Sequence, residues 1–177
     1  MGKLQIRVLG DPVLRERGRD VDAFDAALWR LADDMLETMY DAPGVGLAAQ
    51  QVGLSLRLFV YDPGDGTGSG AVANPEVTLL EEEGEIEQDE GCLSIPGHYF
   101  PTRRAARVRL SGQDLDGRPI VAEADGLLAR IFQHETDHTN GMLFVDRLDP
   151  DARRAAMAQI NAGELDLRAL KGRGAGD

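Results

Sequence analysis

Two periodicities alternate along the chain. From Asp22 to about Tyr40, apolar Phe24, Leu28, Leu31, Met35 and Met39 recur three to four residues apart, with charged residues between them. That is the stripe of an amphipathic helix, in which Trp29 has no role beyond packing, and Asp41-Ala42-Pro43-Gly44 ends it. Leu127, Leu128, Ile131, His134, Glu135 and His138 mark a second helix, which Asp125 can cap and Asn140-Gly141 can close. Asp149-Pro150 opens a third, running to about Ile160. Elsewhere the pattern is extended. Residues 4–14 predict a short extended segment ending at Gly10-Asp11-Pro12. Leu56–Tyr61, Val72, Val77–Leu80 and Arg107–Leu110 predict strands, the last turning at Asp116-Gly117 toward Ile120-Val121.

These elements predict an α+β fold, with mostly antiparallel strands packed around one central helix and further helices near the N- and C-termini. No internal repeat or linker divides the chain, so 1–177 reads as a single catalytic domain, with about 162–177 a candidate disordered tail. The four glycines between Asp62 and Gly70 mark a surface loop. It is no phosphate cradle, because neither a helix nor Lys-Ser/Thr follows it. The acidic run Glu81–Glu90 reads as a solvated edge.

Composition narrows the class. Hydrophobic residues at 42% and charged residues at 28% are ordinary for a globular protein. A net charge of −12 argues against a general nucleic-acid binder or a basic membrane-surface protein, so no specific DNA binding and no membrane partner are expected. The N-terminal residues contain no long apolar core, and the single cysteine, Cys92, suits a reducing compartment. The cytoplasm is the expected location.

Chemistry concentrates in Gln133-His134-Glu135-Thr136-Asp137-His138, an H-E-x-x-H sequence on the second helix. Residues four apart share a helix face, so the two imidazoles converge on one point, and the glutamate between them can reach a water held there. Two histidines need a third ligand. Three histidines exist and none follows His138, which leaves Cys92 and Glu164 as candidates. Glu164 would make the chain a zinc endopeptidase, although it lies in a polar tail. For Cys92 the alternative is a small buried core residue, but Gly91 before it and Leu-Ser-Ile-Pro after it fit a tight, structured loop instead.

Three segments in order resemble the peptide deformylases. Gly44-Val45-Gly46-Leu47-Ala48-Ala49-Gln50-Gln51 is similar to that family's G-x-G-L-A-A-x-Q, Glu90-Gly91-Cys92-Leu93-Ser94 to its E-G-C-L-S, and Gln133–His138 to its Q-H-E-x-D-H. The resemblance runs from about residue 4 to Leu148. It implies a divalent metal held by Cys92, His134 and His138, with Fe(II) the physiological ion and zinc, nickel or cobalt able to occupy the site. It implies Glu135 as the acid–base group, and the Leu93 N–H and Gln51 amide as donors to the formyl oxygen of an N-formylmethionyl peptide. Gln50 fills the variable position and reads as a surface amide. Val45, Gly46, Gly91, Leu127 and Ile131 become candidate substrate-binding residues, with His134 beside them.

One departure concerns the peptide. Where some family members place a peptide-contacting arginine, this chain has His98-Tyr99-Phe100-Pro101, with Arg103 and Arg104 later. His98 reads as a solvent-contacting loop histidine, and Asp137 as a residue supporting the ligands. A catalytically inactive binder of formylated termini is a further alternative, disfavoured by the intact Glu135. An enzyme acting on nascent chains would meet the ribosome near the chain exit, where Arg147, Arg153, Arg154, Arg168, Lys171 and Arg173 could face rRNA.

Overall fold

The computed structural model describes residues 2–80, 82, 84–163 and 165–170. In chain order its elements are α1 (Ala26–Asp41), β1 (Gly46–Ala48), β2 (Leu58–Tyr61), β3 (Gly70–Leu79), β4 (Glu85–Gly91), β5 (Tyr99–Ala105), β6 (Arg107–Gln113), β7 (Pro119–Asp125), α2 (Gly126–Thr139) and α3 (Pro150–Ala162). An antiparallel sheet has the order β1-β2-β3-β6-β7, and β4 and β5 form a separate hairpin. The expected α+β architecture is the one observed.

Strand alternation sets the layers. On β2, Leu58 and Val60 join Met35 and Met39 of α1, whereas Phe59 joins Ala129 and Phe132 of α2. Successive side chains of a strand point to opposite faces, so the sheet lies between α1 and α2. This is what makes α2 central. A third cluster joins Leu14, Ile95, Phe144 and Ile160 of α3, and Cys92 lies within it.

Element ends follow their caps. Asp25, not Asp22, starts α1, because its carboxylate accepts from the N–H groups of Ala27 and Leu28. Phe24 therefore precedes the helix, and Trp29 is 46% exposed, so it contributes little packing. Asp149 caps α3 in the same way. Asp125 occupies the N-cap position of α2, yet its side chain makes no capping bond.

Other expectations need correction. Residues 4–14 join no sheet; the Arg7 N–H donates to the Gln51 carbonyl (2.7 Å), the Leu9 N–H donates to that of Ser94 (2.8 Å), and Pro12–Arg15 is a 3-10 turn. Val72 and Val77 lie on one strand, β3, whose register shifts between Ala73 and Glu76, beside Pro75. Strand β5 is absent from the expected elements, since Pro101 and two arginines hide its pattern. It pairs with β4 alone, where a proline is tolerated on the open side. Among the described residues no helix is long and apolar enough to cross a membrane.

Candidate metal centre and active site

Every residue of α2 from Ala129 to Thr139 is buried, including all six of Gln133–His138. His134 and His138 share one face, and the loop after β4 brings Cys92 to them. The Cys92 Sγ lies 3.2 Å from His138 Nε2, which lies 3.2 Å from His134 Nε2. All three donor atoms fall within 4.8 Å of one another. Bonds of about 2.0–2.3 Å to a tetrahedral ion set neighbouring ligands roughly 3.3–3.7 Å apart, so this donor set fits a transition metal. Thiolate and imidazole suit iron or zinc and not magnesium or calcium.

Two of the three donor residues are held by neighbours, whereas the His138 Nδ1 has no hydrogen-bond partner among the described residues. The His134 Nδ1–H donates to Glu90 Oε1 (2.7 Å), which leaves its Nε2 lone pair facing the cluster. The Ser94 N–H (3.4 Å) and the Gln51 amide (3.5 Å) donate to the Cys92 sulfur. Gln51 also accepts from the Ala48 N–H (2.8 Å) and donates to Ser94 Oγ (3.2 Å), so its amide is locked in place.

Glu90 corrects the reading of the acidic run as a solvated edge. It is 5% exposed and accepts from Arg104 through two nitrogens (2.6 and 3.1 Å) and from Arg130 (2.7 Å), besides His134. Burial alone would raise its carboxyl, but the hydrogen bonds from His134 and Arg104 outweigh it and hold the group well below the ordinary range. Arg104 continues to Asp137 (2.6 Å), and Asp137 accepts from Arg147. Asp137 therefore supports His134 through Arg104 and Glu90, with no direct bond to a ligand. The sequence signal for this network is Glu90 directly before the Gly-Cys pair; nothing local marks Arg104 or Arg130 as buried.

Glu135 is treated in the opposite way. It is 4% exposed, its Oε2 has no hydrogen-bond partner among the described residues, and burial pushes its carboxyl up to about 7. A Cβ on Gly46 would come within 2.3 Å of Glu135 Oε1, so that glycine makes room for the carboxylate. Burial would lower His134, but bonds to Cys92 and Glu90 raise it well above its ordinary value; His138 is held low by burial and by His134.

A cleft of about 300 Å³ opens onto this group. Cys92, His134 and Glu135 line it, as do Gln51 and Leu93. Of the candidate substrate-binding residues, Val45, Gly46, Gly91, Leu127 and Ile131 all line it too. Val45 and Leu127 are 42% and 49% exposed, so Leu127 sits at the mouth rather than in the core. Gln50 is fully buried, correcting its reading as a surface amide; the 3-10 turn Ala49–Val52 tucks it under Gly18, where a Cβ would lie 2.7 Å from its Nε2. His98 is half-buried, stacks on Phe100 and does not line the cleft. Arg103 is exposed beside Glu87 and Arg104 is buried; Tyr99 is the residue of that stretch that reaches the cleft. Glu164, Lys171 and Arg173 lie outside the described residues.

The family model for polypeptide deformylase matches residues 3–154. The chain belongs to the polypeptide deformylase family. It is 52% identical to the peptide deformylase of Acidothermus cellulolyticus over 159 residues, covering 90% of this chain and 86% of that protein. The crystal structure of peptide deformylase from Thermus thermophilus superposes with a TM-score of 0.85 at 48% identity, covering 94% of this chain and 97% of the other. That from Legionella pneumophila gives 0.82 at 44%, covering 91% and 95%. The family is metal-dependent, in keeping with the Cys–His–His donor set.

Proposed function

We infer that the chain is a single-domain, metal-dependent hydrolase that removes the formyl group from the N-terminal N-formylmethionine of nascent polypeptides, releasing formate. One observation carries the reading: a buried carboxylate, Glu135, with one oxygen unpartnered, lines the same cleft as Cys92 and His134. Family membership supports it from an independent direction. Cys92, His134 and His138 would hold the ion, which supplies when bound a Lewis acid that polarises a carbonyl and makes water nucleophilic near neutrality. We assign it as Fe(II), with zinc, nickel or cobalt as substitutes.

The remaining work falls to the chain's own groups. Glu135 accepts the proton of the attacking water and returns it to the departing amine. Its raised carboxyl suits both directions near neutral pH, and the positive charge of an ion would draw it back toward the ionised form. The Leu93 N–H and the Gln51 amide donate to the formyl oxygen as charge builds on it; the Ala48 bond holds Gln51 in place for this, and the long contact to the Cys92 sulfur (3.5 Å) is the one its amide gives up. β1 is the outer strand of its sheet, so an extended peptide can pair along Val45 and Gly46 and pass Gly91. Ile131 and Leu127 offer apolar surface to the methionine side chain.

We further place this activity in the cytoplasm, as the free Cys92 thiol suggests. Docking at the ribosome rests on the nature of the substrate. The charge on Arg147, Arg153 and Arg154 is already matched by Asp137, Asp146 and Asp151.

Anaerobically purified, iron-loaded protein should release formate from a formyl-Met tripeptide and leave an unformylated peptide library uncut. Metal-loaded protein that yields no formate would sink the proposal, and cleavage of the library would point to a peptidase.

A further inference from the structure

The loop that carries Cys92 has a second function in the fold: it seats the C-terminal end of the described chain. Leu165 packs into the cluster around Ile95 and Ile160. The Asp166 N–H donates to the Pro96 carbonyl (3.3 Å), and the Ala169 N–H donates to the Asp166 carbonyl (3.0 Å). Asp166 lies against the bare face of Gly97, where an added Cβ would come within 3.1 Å of its own. These contacts position a 3-10 turn, Leu167–Leu170, beside the catalytic cleft, and Ala169 and Leu170 line that cleft together with Cys92 and Glu135.

The surroundings are apolar and open. Tyr99, Leu127 and Val45 line the same cleft and are 69%, 49% and 42% exposed. Large apolar side chains exposed around one opening mark a surface that something covers. Because the opening is continuous with the group holding Cys92, His134 and Glu135, its occupant is the substrate. A cleft of about 300 Å³ is at the small end for ligand sites and has room for little beyond one side chain. The following residues of the peptide must therefore lie along the rim. Main-chain pairing along β1 reads no side chains, so any preference at those positions has to come from that rim.

The geometry points to the turn Leu167–Leu170 as a specificity-determining wall, with Leu170 favouring apolar side chains at the second and third positions of the peptide. This rests on the deformylase reading above and deepens it. The test uses the full-length, iron-loaded chain and compares kcat/KM for formyl-Met-Leu-Phe with that for formyl-Met-Ser-Ser. The wild type should prefer the apolar peptide by about tenfold, the scale of a single apolar contact. Leu170→Asp should remove most of that preference and Leu170→Met should restore it, a pattern that general loss of folding would not produce. Equal ratios in all three proteins, or an increased rate on both peptides in Leu170→Asp, would overturn the wall while leaving deformylation intact. No formate from either peptide with metal-loaded wild type would sink the deformylase reading and the wall with it.

Discussion

Glu90 and Glu135 are buried to nearly the same depth, 5% and 4% exposed, and end in opposite states. Glu90, at the end of β4, accepts from His134, Arg104 and Arg130. Glu135, on α2, has no partner for Oε2 among the described residues and the bare backbone of Gly46 beside Oε1. The first is held ionised well below the ordinary range; the second is pushed up to about 7. Burial is common to both, so the supply of donors decides. A fully paired carboxylate can only orient its neighbours, whereas an unpaired one remains able to take and give a proton.

Substitutions should separate the two roles. Glu135→Gln should lower formate release by about 100- to 10,000-fold with bound metal retained, as removal of an acid–base group does. In metal-free protein the same variant should be the more stable form at pH 8. Below 4.5 the wild-type carboxyl is protonated whether folded or not. As pH rises from 4.5 through 7 the unfolded chain releases its proton first, and the folded wild type loses stability. The difference should reach about 3 kcal/mol, since one pH unit is worth about 1.4 kcal/mol, and thermal unfolding against pH measures it.

Glu90→Gln should reverse that pattern. Removing one partner from a buried ion network costs about 3–5 kcal/mol, because Arg104 and Arg130 keep their charge. Loosening His134 should also weaken metal binding about 10- to 100-fold, read by competition with a chelator. Gly46→Ala sharpens the comparison from the side of Glu135. Its Cβ cannot share space with the carboxylate, so about 1–3 kcal/mol of stability should be lost, with activity falling as Glu135 moves. The smallest effect belongs to Arg103→Gln. Its partner Glu87 is exposed on the same hairpin, and denaturant unfolding should shift by no more than about 1 kcal/mol.

The contrast also explains what could be read from the sequence. His134 and His138 are legible because helical spacing alone brings them to one face, with Glu135 in the turn between them, and α2 lies where the stripe puts it. Spacing leaves Cys92 open against Glu164, and the resemblance selects Cys92. Glu90 looked like the last of a solvated acidic run, because its donors come from residues 14, 40 and 44 positions away. Gln50 is illegible for the same reason: nothing local reveals that Gly18 closes over it. Strand β5 was hidden because its register is set by pairing with β4 and its own sequence shows no alternation. Local periodicity announces helices; long-range polar pairing leaves no local mark.

Glu135 is free to carry a proton while Glu90 is not. The most direct test sets Glu135→Gln and Glu90→Gln side by side, with formate release measured on the iron-loaded proteins and thermal unfolding on the same proteins stripped of metal. A crossed result is predicted: Glu135→Gln nearly inactive when iron-loaded yet, once stripped of metal and unfolded at pH 8, at least as stable as the stripped wild type, and Glu90→Gln clearly less stable while keeping activity in proportion to the metal it retains. An active Glu135→Gln enzyme, or two variants that lose stability alike, would contradict it.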